Sequence, residues 1–127
     1  MTEPTVVVQK AYDWALWIIP KVEKFPKPYR FSIGQTLVAS SIELLMNLAD
    51  ATYQTRNSGS LGAAVREVNR IRYLVRLAKD LRVINLAAHE FASKAMDEVG
   101  RMKADLVANL QPGSFATACW LANALSL

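Results

Sequence analysis

Between Leu61 and Ile84 the chain carries six cations, Arg66, Arg70, Arg72, Arg76, Lys79 and Arg82, against only Glu67 and Asp80. That excess of four equals the formal charge of +4 of the whole 127-residue chain, so the charges elsewhere cancel. Cations spaced along one segment can neutralise the phosphates of a nucleic acid or the carboxylates of an acidic protein, and the spacing alone leaves both open. The bland alternative is a solvated helix surface. The imbalance argues against it, because a merely solvated surface mixes signs, as Glu90, Lys94, Asp97, Glu98, Arg101 and Asp105 do further on. Few aromatic residues interleave with these cations, so a base-stacking code is not evident and contact with RNA or DNA without sequence preference is the expectation.

Other chemistry finds little material. His89 is the only histidine, no Glu-x-x-His pair stands ready for a carboxylate-bridged metal, and no glycine-rich loop could cradle a phosphate. On a helical wheel His89 falls at the edge of an apolar arc, the place of a boundary residue rather than of a catalyst. Cys119 cannot form a bridge within the chain and sits in an apolar segment, where it is expected to pack. A non-enzymatic protein with no cofactor or metal follows, with the cytoplasm as its natural compartment. Glu3, Lys10 and Asp13 interrupt the apolar N-terminal stretch, which fits neither a signal peptide nor a membrane span.

These residues must be positioned by helices. Alanine, leucine and valine with few glycines and prolines favour an all-α chain, and 127 residues fit one domain, 1–127. Val7, Ala11, Trp14, Ile18, Val22 and Phe25 recur at helical spacing and predict a first helix over 5–24, kinked or frayed by Pro20. Ser32 with Gln35 three residues later forms a capping-box pattern that starts a second helix over 32–55. The turn Asn57-Ser58-Gly59-Ser60 leads to a third helix over 61–81, whose core stripe is Leu61, Ala64, Val68, Ile71, Val75 and Ala78. A fourth spans 86–110, with Ala88, Phe91, Ala92, Ala95, Val99, Met102 and Leu106 on one face. Short connections make the expected architecture an up-and-down antiparallel four-helix bundle.

Three regions exceed what one bundle needs. The corner KFPKPYRFSIG holds Phe25, Tyr29 and Phe31, which can close the core, and Lys27 and Arg30, which stay wet or find a carboxylate. Its prolines, Pro26 and Pro28, should keep Phe25 and Lys27 extended. Tyr73, Leu74, Leu77 and Leu81 form an apolar strip away from the third helix's core seam, with Leu16 and Trp17 similarly placed on the first, as a homo-oligomer interface would require. The tail 111–127 has no charged side chain and is expected to cap the bundle or bury itself against another subunit.

The corner also resembles the accessory variability proteins of diversity-generating retroelements. Phe25, Pro26, Lys27, Arg30, Phe31, Ile33 and Gly34 match the family's Phe-Pro-Lys corner, Arg-Phe pair, aliphatic residue and glycine, and the likeness continues through the basic third helix to Asp97–Met102. Thr36 and Ala39 to Ser41 depart from the pattern, so contacts made there in the family do not carry over. Four-helix proteins encoded in ribosomal RNA intervening sequences are the second resemblance, weakened by Asn47-Leu48-Ala49-Asp50. The first resemblance implies a homo-oligomeric ring of five that binds template RNA or complementary DNA and the retroelement reverse transcriptase, supporting mutagenic DNA synthesis and retrohoming. An oligomeric interaction module for an acidic protein is the competing reading.

Overall fold

The computed structural model describes residues 4–53 and 59–110, with side chains over 6–51 and 59–101. Four long helices dominate them: α1 (Pro4–Glu23), α2 (Gln35–Tyr53), α3 (Ser60–Asp80) and α4 (Leu86–Leu110), with no strand among the described residues. The predicted turn residues Asn57 and Ser58 and the whole 111–127 tail, with Cys119, lie outside this set.

Each helix packs on its neighbours in chain order, and α4 closes the circuit against α1. The pairings run antiparallel. Trp14 of α1 meets Ser41 of α2 while Val22 meets Gly34, and on the other side Lys10 meets Glu98 while Trp17 meets Phe91. The core is one cluster in which Val7, Ala11, Trp14, Ile18 and Val22 face Leu37, Leu44, Leu48, Val68, Ile71 and Val75. Within it the Trp14 indole donates to Ser41 Oγ at 2.8 Å, and that hydroxyl donates to the Leu37 carbonyl at 2.7 Å. A buried N–H and a buried hydroxyl thus satisfy each other and fix the register of α1 on α2.

Helix α1 runs through Pro20 to Glu23. Leu16, four residues earlier, and Pro20 are both exposed, so the carbonyl that loses its partner faces water and the helix does not break there. On α4 Ala88, Ala92 and Val99 of the predicted face are buried, joined by Met96, whereas Phe91 is half exposed and rests on Trp17 at 4.5 Å between ring centroids; the side chains of Met102 and Leu106 lie outside the described set.

The corner departs most from its sequence reading. Pro26 is extended, with ψ 143°, but Lys27 is not: helical structure resumes at once in a single turn, Lys27–Tyr29, followed by a π-helical segment, Arg30–Gly34, that runs into α2. Pro28 is tolerated in this first turn because its missing N–H would have had no helical partner. Ser32 is therefore not a cap: its hydroxyl donates back to the Pro28 carbonyl at 3.0 Å. Phe31 does not close the core either, being 65% exposed, whereas Phe25 is 3% exposed and Tyr29 packs against the core's edge.

Candidate nucleic-acid interface

Gly34 explains why the corner is tight. A Cβ at this position would lie 2.7 Å from Val22 Cγ1 and 3.2 Å from Phe25 Cδ2, so a hydrogen is all that fits where α2 begins over the end of α1. Arg30 seals the same joint from outside, donating from Nη2 to the Phe25 carbonyl at 3.3 Å. Phe25, Arg30 and Gly34 thus hold the corner together, while Pro26, Lys27 and Phe31 lie exposed on it.

The opposite connection, between α3 and α4, comes to the same end of the bundle. Helix α3 closes with a Schellman arrangement, in which Val83 N–H donates to the Ala78 carbonyl at 2.8 Å and Arg82 N–H to the Lys79 carbonyl at 2.9 Å. Arg82 occupies the left-handed position, φ +63°, that glycine usually takes. Asn85 then starts α4 by accepting the Ala88 N–H on its side-chain oxygen at 2.8 Å. The asparagine directly before an apolar helical run was a readable start signal, and the sequence reading passed over it.

The six cations of the α3 region do not share one surface. Arg72 is held by Asp97 of α4 at 2.7 Å, and Arg70 lies 3.7 Å from Glu67 on the side facing α2. Arg66 and Arg76 are exposed with no ion pair among the described residues, Lys79 lies 3.7 Å from its neighbour Asp80, and Arg82 projects at the chain turn. Lys10 pairs with Glu98 at 2.8 Å, and the carboxylate holds its ammonium above the ordinary lysine range.

Folding regroups the charge. Residues 20–34 and 76–90, which meet at the corner end, contribute seven cations, Lys21, Lys24, Lys27, Arg30, Arg76, Lys79 and Arg82, against Glu23, Asp80 and Glu90. That is the chain's whole excess of four, and all other positions sum to zero. Charge counting along α3 found three of these seven. The rest precede Arg76 by more than forty positions and become neighbours of these three only through the antiparallel packing. A cleft of 370 Å³ opens at this end, lined by Trp17, Pro20, Lys21, Lys24, Phe25 and Val83 to Asn85.

The proposed interface residues divide. Leu74 is half buried against the core, while Tyr73, Leu77 and Leu81 are exposed, Tyr73 at 72%. Tyr12 and Leu16 on α1 and Ile42 and Met46 on α2 are further exposed apolar pairs at a spacing of four, of which the spacing marked only Leu16 as lying outside the core face. Among the described residues no cluster of metal-ligating side chains occurs and no helix is long and apolar enough to cross a membrane.

A family model described as bAvd-like matches residues 5–110. The chain belongs to the bAvd-like family. The match takes in all four helices and the corner, and agrees with the resemblance carried by Phe25 to Gly34. No curated protein and no solved structure matches the chain.

Proposed function

We propose that this Avd-like chain is the non-enzymatic accessory protein of a diversity-generating retroelement, and that it binds nucleic acid through the cationic end of its bundle while engaging the retroelement reverse transcriptase. The observation that carries the reading is the coincidence of the family match with the collection of the whole charge excess at one end. Cations that lack ion-pair partners exchange solvent counterions for phosphates, so association draws on counterion release and needs no base reading. In this account Arg76, Arg82 and, in competition with its neighbour Asp80, Lys79 keep the nucleic-acid role expected from the sequence and are joined by Lys21, Lys24 and Lys27. Arg66, Arg70 and Arg72 lie further along α3, where Glu67 and Asp97 compete for two of them.

Assembly into a ring of five identical chains belongs to the same proposal. A closed ring of more than two members joins unlike surfaces of successive copies, so each chain needs two apolar patches. The exposed Tyr73, Leu77 and Leu81 strip on α3 supplies one candidate, and Tyr12, Leu16, Ile42 and Met46 on α1 and α2 supply the other. Five cationic ends held in one particle would raise affinity for a long polyanion above that of a single chain.

The test is fluorescence anisotropy with unrelated RNA and DNA oligonucleotides over a salt series, run beside a pull-down of the reverse transcriptase and a mass measurement of the particle. The expected result is binding to all sequences, falling steeply with salt, by a particle of five chains. A protein that captures the polymerase yet binds no nucleic acid at low salt would make the cationic end a docking surface for an acidic protein.

A further inference from the structure

The cleft at the cationic end sets apolar side chains beside its cations. Trp17, Pro20 and Phe25 of α1 and the corner face Val83 and Ile84 of the α3–α4 connection, and Lys21, Lys24 and the Asn85 amide supply its polar groups. Its 370 Å³ falls within the size range of sites for small organic groups. The cleft is also braced. The Trp17 ring lies 4.5 Å from Phe91 and 5.5 Å from Trp14, so the indole cannot swing away when something settles beside it. Lys21 holds its ammonium over the Trp17 ring, 5.0 Å from the centroid, so a group laid on that face displaces a cation that remains at hand for its anion. Asn85 spends its side-chain oxygen on the Ala88 N–H, leaving the NH2 group to donate.

A flat apolar group, a hydrogen-bond acceptor and an adjacent anion would answer all three features. An unpaired nucleotide carries all of them, and its chain continues as phosphates over the cations that surround the cleft. We propose that this cleft takes the unpaired base of a single-stranded nucleic acid, with the base against Trp17, a base carbonyl on the Asn85 amide, and the flanking phosphates on Lys21 and Lys24. The inference rests on the nucleic-acid reading above and sharpens it: the same end holds any polyanion through charge, but only a strand with an exposed base fills the cleft. A duplex keeps its bases stacked and gains only the charge. The sequence hid this arrangement because Trp17, Lys21 and Lys24 meet Val83, Ile84 and Asn85, about sixty positions away, only through the packing of the helices.

The experiment compares a short single strand with a duplex of the same sequence, using wild-type protein, Val83→Trp and Lys21→Glu with Lys24→Glu. Val83→Trp fills the cleft without changing charge, and should weaken single-strand binding at least about tenfold while leaving duplex binding within about twofold. The double charge reversal should weaken both, the single strand more. Because Val83→Trp could disturb the fold, wild-type protein is also photo-crosslinked to a strand carrying iodouracil, and the modified peptide is sequenced. Crosslinks on Trp17 or Phe25 support the proposal. Crosslinks confined to other aromatics such as Tyr73, or a folded Val83→Trp with unchanged single-strand affinity, overturn it while the broader nucleic-acid reading stands. Absence of any binding by wild-type protein overturns both.

Discussion

The cations at the corner end of the bundle and those further along it are used differently. Toward the end away from the corner, Lys10 meets Glu98 and Arg72 meets Asp97 between helices and Arg70 approaches Glu67 within α3, so most of the charge there is spent inside the chain, Arg66 excepted. At the corner end Lys21 lies over an indole, Arg30 holds a backbone carbonyl, and Lys24, Lys27, Arg76 and Arg82 have no ion pair among the described residues. That end is held by packing instead: Phe25 in the core, Gly34 against Val22, and a Schellman closure under Arg82. A surface that is assembled by apolar contacts can leave its cations for a partner, whereas one assembled by ion pairs cannot.

Stability measurements by denaturant titration should separate the two ends, with the largest effect at the packed one. Phe25→Ala empties a buried position at the floor of the cleft where α1 gives way to the corner, and should cost about 3–5 kcal/mol. Gly34→Ala should cost about 1–3 kcal/mol, because the new methyl must displace Val22 and Phe25 by several tenths of an ångström, although alanine is the better helix former. A neutral or stabilising Gly34→Ala would mean that the corner is looser than its contacts imply. Arg82→Gly should stabilise the fold by about 1 kcal/mol, since glycine adopts the left-handed position without the Cβ conflict, while reducing nucleic-acid affinity. At the other end, Arg72→Ala breaks a bridge whose partners are 41% and 55% exposed and should cost less than about 1 kcal/mol.

The periodic part of this molecule was legible in its sequence. Val7, Ala11, Trp14, Ile18, Val22 and Phe25 are all buried, as their spacing requires, and Ala64, Val68, Ile71, Val75 and Ala78 likewise. Local chemistry was less reliable. Ser32 and Gln35 have a capping box's residue types, yet a helical turn already begun at Lys27 leaves no free helix start there for them to cap. Phe31 was assigned to the core on hydrophobicity, but the π-helical segment turns it outward. The candidate site was legible only in part, because a count along one helix sees Arg76, Lys79 and Arg82 together but cannot see Lys21 and Lys24 beside them. Nothing in the linear pattern distinguishes Arg72, which Asp97 of another helix engages, from Arg76, which has no such partner.

The most direct measurement is therefore the salt dependence of nucleic-acid binding for two triple variants of equal charge change. One is Lys24→Gln, Lys27→Gln and Arg76→Gln at the corner end; the other is Lys10→Gln, Arg70→Gln and Arg72→Gln away from it. If the corner end meets the phosphates, the first variant should flatten the slope of log affinity against log salt by about two to three for a duplex, and the second by less than about one. Equal flattening by both variants, or a larger loss from the second, would contradict the assignment of binding to the corner end.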